Sequence, residues 1–146
     1  MDLYFRYLKW ILTSLLLSLM SMTGLWAEEA AINATTASSG WQNNELKAAS
    51  KRGEKIYQAK CIACHKSDGA GMPPIFPPLK GNKFGTNVVS DHIHIVLNGR
   101  PGTAMRDFKD DCSDEDIADV ITYELNAWGN NTGTLVIASE VQAARK

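Results

Sequence analysis

Two cysteines and a histidine impose the strongest constraint on this chain. Cys61 and Cys64 are separated by two residues, and His65 follows the second cysteine directly. This spacing lets both thiols form thioethers with the vinyl groups of a porphyrin, while the imidazole reaches the iron as an axial ligand. The motif therefore predicts one covalently attached haem c, bound through Cys61 and Cys64 and ligated by His65.

Other uses of paired cysteines fit the surrounding sequence less well. A disulfide oxidoreductase places its cysteines at a strand-to-helix junction, and no alternation of strand and helix patterns surrounds residues 61–65. A structural zinc site needs four ligands, but no second pair of cysteines or histidines follows at zinc-finger spacing. The histidine directly after the second cysteine therefore favours a haem-attachment motif over a disulfide or zinc motif. The third cysteine, Cys112, is left over, either as a small buried residue or as a free or intermolecular thiol.

The first 27 residues have the composition of an export signal. Arg6 and Lys9 precede an apolar run of about 17 residues, at the lower limit for a membrane span. The run closes on Ala27, a small residue typical of a cleavage site. We predict a signal peptide at residues 1–27, with an uncleaved membrane anchor as the alternative. Both alternatives place the domain in the periplasm, either soluble or tethered to the inner membrane.

A polar linker leads into the first predicted helix. Residues 28–44 are rich in Ala, Thr, Ser and Asn and show no helical or strand period, which is typical of a flexible tether. From Glu45 onward, apolar residues recur near helical spacing up to the cysteines. Within this helix Gly53 stands four residues before Tyr57, which predicts that a second helix approaches closely at that turn.

The segment from Lys66 to Gly81 combines breaker residues with apolar side chains. Its four prolines and three glycines exclude a regular element. The apolar residues, which predict packing against a porphyrin, are Met72, Ile75, Phe76 and Leu79. A ligating histidine needs its second ring nitrogen fixed by an acceptor, and the carbonyl of Pro77 is the candidate partner of His65. A short helix is predicted from Asn87 to Asn98.

The second axial ligand is sought among methionines and histidines. Met105 lies 40 residues after His65, in a glycine-rich stretch that can reach the opposite face of the porphyrin. Met72 follows His65 by only seven residues, too few to pass comfortably around the ring edge. His92 and His94 lie in the short helix, where we interpret them as surface or edge residues. We predict Met105 as the axial ligand, with either histidine or an open sixth position as alternatives.

A capped helix is predicted to close the domain. Ser113 and Asp116 form the pattern of a capping box, and the apolar residues that follow share one helical face. These residues are Ile117, Val120, Ile121, Leu125 and Trp128, bordered by Tyr123. We expect this face to cross the first helix at Gly53, and the helix to end at Gly129-Asn130.

These residues together resemble a class I cytochrome c domain. Besides the haem motif with Gly53 and Tyr57, the resemblance rests on Pro77-x-Leu79-x-Gly81, on Gly102-x-Ala104-Met105-x-x-Phe108 and on the helix ending Val120 to Asn130. The last segment is especially similar to the cytochrome c domains associated with subunit II of bacterial haem–copper oxidases. The resemblance implies an all-α fold, with crossed N- and C-terminal helices around one covalent haem and with His65 and Met105 as axial ligands.

The resemblance covers residues 45–130, which we assign to the cytochrome c domain. With the patterns described above, the sequence predicts a signal peptide or uncleaved anchor at 1–27, a linker at 28–44 and a C-terminal tail at 131–146. In that tail Ser139 is the candidate start of a short helix. The family's pattern usually has an apolar residue, often leucine, where this chain has Cys112, which puts only the local thiol chemistry in doubt.

A single-electron carrier in a respiratory chain follows from the resemblance, rather than an enzyme. Its expected partners are redox proteins: a terminal oxidase or another exported reductase as acceptor, or a dehydrogenase as donor. The charge is balanced, at 15 basic and 16 acidic residues, and gives no indication of nucleic-acid binding. The alternative is a peroxidase-like haem enzyme or a gas-binding sensor, which requires an open or labile sixth position in place of Met105.

Overall fold

The computed structural model of the protein describes residues 42–81 and 88–145. The predicted signal peptide and most of the predicted linker lie outside the described residues. Within these ranges the chain is helical, and its sole strand-like pairing is an isolated bridge between Met72 and Phe76. The helices are α1 (residues 42–60), α2 (Ile62–His65), α3 (Val88–Asn98), α4 (Asp114–Asn126) and α5 (Ala138–Ala144). The predicted all-α fold is confirmed.

None of the helices in the described ranges is long and apolar enough to cross a membrane. Helix α1 includes residues 42–44, which the sequence pattern assigns to the linker. The three residues are polar and exposed, so they contribute no apolar period even though they are helical.

Helix α4 begins as predicted and ends earlier than predicted. The Ser113 hydroxyl accepts a hydrogen bond from the Asp116 backbone N–H at 3.1 Å, and the Asp116 carboxylate accepts from the Ser113 N–H at 3.0 Å. The last helical residue is Asn126, because Ala127 takes up extended backbone with φ of −83° and ψ of 166°. Trp128 and Gly129 then turn the chain with positive φ values of 54° and 89°.

Helices α1 and α4 cross at Gly53, as the sequence predicts. A Cβ atom on Gly53 would lie 2.0 Å from the backbone carbonyl oxygen of Asp119 and 2.9 Å from the Cβ of Tyr123. Only glycine therefore allows the two helices to approach this closely. The face of α4 at the crossing carries Asp119 and Tyr123, which lie beside the predicted apolar stripe.

A charged clamp reinforces this crossing. The Arg52 guanidinium donates from Nε to Asp119 Oδ2 at 2.6 Å and from Nη2 to Asp119 Oδ1 at 2.9 Å. This fork-to-carboxylate arrangement is one of the stronger hydrogen-bonded geometries in proteins. The Asp119 side chain is 6% exposed, whereas that of Arg52 is 44% exposed, so the clamp closes the edge of the crossing.

The core lies along the apolar stripe of α4 and includes the chain's C-terminal segment. Ile117 and Ile121 of α4 are fully buried, together with Leu97 of α3. In the segment predicted as a weakly patterned tail, Val136 and Val141 are equally buried. The packed unit therefore extends beyond Asn130. Val136 and Val141 belong to no periodic apolar pattern, yet both are fully buried.

The tail is held by specific hydrogen bonds as well as by apolar contacts. The Val136 N–H donates to the Thr122 hydroxyl at 2.9 Å inside the core. Helix α5 starts at Ala138, one residue before the predicted Ser139, and the Glu140 side chain accepts from the Ile137 N–H at 2.9 Å. Arg145 donates to the Cys112 carbonyl at 2.8 Å, which links the end of the chain to the start of α4.

Candidate haem site

All four predicted site residues line one cavity of about 860 Å³. They are Cys61, Cys64, His65 and Met105. The walls come from the end of α1, from α2, from the loops 66–81 and 99–108, and from one side each of α3 and α4. The fold therefore brings together residues that belong to separate segments of the sequence.

The haem motif sits on a continuation of helix α1. The Cys61 N–H donates to the Tyr57 carbonyl at 2.9 Å, and the His65 N–H donates to the Cys61 carbonyl at 3.0 Å. Because residues three apart on a helix lie on one face, Cys61 and Cys64 both reach the cavity. Burial raises the pKa of the Cys61 thiol, and the nearby charge of Glu124 adds to this rise.

His65 is fixed by the acceptor that the sequence predicts. Its side chain is buried, and its Nδ1 lies 3.1 Å from the carbonyl oxygen of Pro77. When Nδ1–H donates to this carbonyl, the lone pair of Nε2 is left for a metal. The predicted contact between His65 and Pro77 is confirmed.

The loop that follows His65 is anchored from behind by two aromatic residues. The Tyr57 hydroxyl donates to the Lys66 carbonyl at 2.6 Å, and the Trp128 indole N–H donates to the Ser67 carbonyl at 3.0 Å. Gly69 has a φ of +68°, and a Cβ there would lie 2.5 Å from the Trp128 ring. The turn after the haem motif therefore depends on a glycine that lets the tryptophan close on the backbone.

Three aromatic rings join this loop to the helix crossing. The ring centroids of Tyr57 and Trp128 are 4.9 Å apart, those of Tyr123 and Trp128 are 5.3 Å apart, and those of Tyr57 and Tyr123 are 5.5 Å apart. Such tilted and edge-on pairs stabilise a cluster beyond simple area burial. A displacement of α1 relative to α4 would therefore also shift the loop that follows the haem motif.

The apolar residues of loop 66–81 face the cavity, as predicted, with one exception. Ile75, Phe76 and Leu79 line it, whereas Met72 does not and is 38% exposed. Ile75 is 67% exposed although it borders the cavity. Large apolar side chains left open at the wall of a cavity fit a site that a flat apolar group completes.

The backbone around Met105 is held in a tight turn on another wall. The Arg100 N–H donates to the Met105 carbonyl at 3.0 Å, and the Met105 N–H donates to the Thr103 hydroxyl at 3.2 Å. Gly99 has a φ of +71°, and a Cβ there would lie 2.7 Å from the Met105 carbonyl oxygen. This arrangement positions the Met105 side chain on the cavity.

The structure separates the two histidines of α3. His94 is exposed and does not line the cavity, in agreement with the surface interpretation. His92 lines the cavity and is buried, so the surface interpretation is wrong for this residue. Its Nε2 lies 2.7 Å from Oε2 of Glu124, on α4.

Sequence reasoning missed the role of Glu124 as a cavity residue, although the sequence contains a signal for it. Glu124 follows Val120 by four residues, and His92 follows Val89 by three, so each occupies the apolar face of its helix. A polar residue at a core position usually has a buried partner. Cys112 also lines the cavity and is buried, which agrees with its interpretation as a small buried residue.

The residues present fit a covalently bound porphyrin. Two thiols stand on one helical face, an imidazole is fixed through its second nitrogen, and a thioether borders the same cavity. Residues 48–123 match the protein family described as cytochrome c oxidase, cbb3-type, subunit III. The matched segment covers more than half of the chain.

The chain belongs to this family of c-type cytochromes.

Curated relatives support the same assignment. The chain is 37% identical over 103 residues to the cytochrome c subunit of an alcohol dehydrogenase (quinone) from Gluconobacter oxydans, covering 64% of this chain and 22% of the relative. It is 32% identical over 108 residues to the gluconate 2-dehydrogenase cytochrome c subunit of Pantoea cypripedii, covering 66% and 24%. Cytochrome c-554(548) of Halomonas halodenitrificans is 37% identical over 67 residues, covering 43% of this chain and 78% of the relative.

These findings confirm the class I cytochrome c assignment and its cofactor. The protein is a c-type cytochrome that carries covalently bound haem c. The chain spans only 22% and 24% of the two dehydrogenase subunits.

Proposed function

We propose that this protein is an exported monohaem cytochrome c that carries single electrons within a respiratory chain, with His65 and Met105 as the axial ligands of its iron. The observation that carries the proposal is the convergence of Cys61, Cys64, His65 and Met105 on one cavity. Among the alternatives for the second ligand, Met72 and His94 do not line that cavity. His92 lines it, but its Nε2 lies against the Glu124 carboxylate.

Each residue of the site has a part in holding and tuning the group. The haem supplies a one-electron iron couple, and ligation by a thioether raises its potential. Cys61 and Cys64 tether the porphyrin, and the Pro77 carbonyl orients the His65 ring through Nδ1. The apolar walls, which include Phe76 and Leu79, exclude water from the site.

The partners that we propose are a dehydrogenase as electron donor and a terminal oxidase or another exported reductase as acceptor. Two of the relatives are named as cytochrome c subunits of dehydrogenases, which supports the donor side. Lys60, Arg100 and Arg106 line the same cavity as the exposed apolar residue Ile75. Basic side chains and an exposed apolar side chain at the same cavity favour docking to an acidic patch on a redox partner.

The test is the visible spectrum of the exported, haem-loaded protein, oxidised and reduced, with and without carbon monoxide. The variants are Met105→Ala and, as a matched control, Met72→Ala. We expect the far-red methionine–ferric band to disappear in Met105→Ala and to persist in Met72→Ala. Carbon monoxide should bind only to Met105→Ala.

Ready binding of carbon monoxide by the wild type would overturn this proposal. It would show that the sixth position is open or labile, and a gas-binding sensor or a peroxidase-like enzyme would then take the place of a closed electron carrier.

A further inference from the structure

An acid–base pair is buried in the wall of the haem cavity. His92 Nε2 on α3 lies 2.7 Å from Glu124 Oε2 on α4, and the two side chains are 9% and 5% exposed. Both residues line the cavity. The pair therefore stands between the packed core and the space that the porphyrin occupies.

The position of this pair is not explained by helix packing alone. Burial of ionisable groups costs free energy that their mutual attraction repays only in part. The Arg52–Asp119 clamp also joins two helices, but neither of its residues lines the cavity. The charge of Glu124 does act on Cys61, one of the two cysteines of the haem motif. Burial is the larger cause of the raised pKa of the Cys61 thiol, and the charge of Glu124 raises it further.

We propose that His92 and Glu124 form a proton-binding site coupled to the oxidation state of the haem. On this proposal, which rests on the proposed electron-carrier function, the pair takes up a proton from solvent when the haem is reduced. It releases the proton when the haem is oxidised.

The direction in which the reduction potential changes with pH follows from the charge in the cavity. One electron from the redox partner lowers the positive charge of the iron centre by one, and a proton added to the pair restores the charge inside the low-dielectric site. The oxidised centre favours the pair without the extra proton, because its positive charge attracts the carboxylate. The reduction potential must therefore fall as pH rises across the range in which the pair titrates.

Several other titratable groups around the cavity are accounted for in other ways. The charged and titratable residues of the cavity, besides the pair, are Lys60, Asp91, Arg100, Arg106, Cys112, the two haem-binding cysteines and His65. The cysteines of the motif are consumed as thioethers, and His65 is the proposed ligand. Burial raises the pKa of Cys112, and burial raises the pKa of Tyr57 and Tyr123, which adjoin Glu124; all three stay neutral near neutral pH.

The test is the midpoint reduction potential of the haem-loaded protein as a function of pH, measured by spectroelectrochemistry. The wild type should show a potential that falls with rising pH, with uptake of up to one proton per electron. Glu124→Gln and His92→Gln each keep a hydrogen-bonding side chain but remove one of the two titratable groups, and each should weaken this slope. Asp119→Asn, which alters a helix-joining pair away from the cavity, and His94→Gln, which alters the exposed histidine, should keep it.

Three results would overturn the inference. A flat potential in the wild type excludes a coupled proton site, and an unchanged slope in both Glu124→Gln and His92→Gln assigns the titration to groups outside the pair, such as the haem propionates. Loss of the slope in Asp119→Asn as well would reduce the pair to a structural role.

A second measurement on the wild type keeps the inference testable if Glu124→Gln fails to fold. Redox-difference infrared spectra of protein with isotope-labelled glutamate should contain a carboxyl band that changes between the reduced and oxidised forms. No such band would contradict the inference. A reversible one-electron couple without carbon monoxide binding but with a flat pH profile would leave the electron carrier intact and remove only the proton site.

Discussion

Helix α4 contributes to two regions that are packed in different ways: the crossing with α1 and the wall of the haem cavity. At the crossing with α1, Gly53 meets the Asp119 backbone with no room for a Cβ atom. On the cavity side, Ile75 is 67% exposed and Met105 is only partly buried. The crossing is completed by the polypeptide itself, whereas the cavity wall is an apolar surface that needs a cofactor to become a core.

The polar groups of the two regions differ in the same way. The clamp of Arg52 and Asp119 lies at the protein edge, where water screens it in part because Arg52 is 44% exposed. The pair of His92 and Glu124 lies inside, at 9% and 5% exposure. The comparison teaches that the role of a polar pair between two helices depends on what the pair faces. Arg52 and Asp119 close a helix crossing, whereas His92 and Glu124 line the haem cavity.

The largest expected effect comes from leaving the cavity without its covalent cofactor. The double variant Cys61→Ala/Cys64→Ala cannot form thioethers, so we expect no haem to remain after denaturing electrophoresis. Without the porphyrin the apolar walls are solvated, and the loss of stability should reach about 5 kcal/mol or more, comparable with the whole stability of a small domain. Circular dichroism during heating measures it. Cooperative unfolding near the unfolding temperature of the wild type would contradict this prediction, because it would show that the cavity wall is stable without the haem.

A smaller effect is expected at the crossing from Gly53→Ala. Alanine is the better helix former by about 1 kcal/mol, but its Cβ would meet the Asp119 carbonyl oxygen at 2.0 Å. Overpacking against backbone should cost about 3 kcal/mol in the free energy of unfolding, measured by denaturant titration of the haem-loaded protein.

The matched control for that substitution is Gly133→Ala. This glycine has a φ of +71° with nothing within 4 Å of a Cβ, so only the backbone strain of about 1–2 kcal/mol applies. Equal losses in the two variants would mean that close approach of the helices is not what Gly53 provides.

The smallest effect is expected where the two regions meet, from Tyr57→Phe. The aromatic ring stays in the cluster, but the Lys66 carbonyl loses the hydroxyl that donates to it at 2.6 Å. We expect a loss of about 1–2 kcal/mol in the free energy of unfolding, together with a changed visible spectrum, because this bond holds the turn after His65. The control Tyr123→Phe keeps the ring contacts and should leave the spectrum unchanged. A spectrum that changes only in Tyr123→Phe would contradict the prediction, because it would show that the Tyr57 hydroxyl is not the group that links the aromatic cluster to the haem motif.

The sequence was most informative where a short motif carries its own geometry. The Cys-x-x-Cys-His spacing predicted the haem motif, and the proline-rich segment predicted the Pro77 carbonyl as the partner of His65, which lies 3.1 Å from it. Ser113 and Asp116 predicted the start of α4. In each case the residues are close in sequence, so local backbone preferences decide the contact.

The sequence was least informative where contacts join distant segments without a periodic pattern. Val136 and Val141 pack fully in a stretch that shows no repeat, and α1 includes three polar residues assigned to the linker. His92 was interpreted as a surface or edge residue, because the helical position of one residue does not reveal that Glu124 faces it from another helix.

By itself, then, the sequence determined the chemistry that the site can offer: two thiols at the spacing of a haem motif, the imidazole beside them, the all-α class and the glycine at which two helices meet. Only the tertiary structure decided what completes the site. It placed Met105 on the cavity, left Met72 outside it and brought His92 against Glu124. The physical reason is that ligand motifs are local and follow from spacing, whereas the partner of a buried polar group is set by how helices cross and which faces they bury.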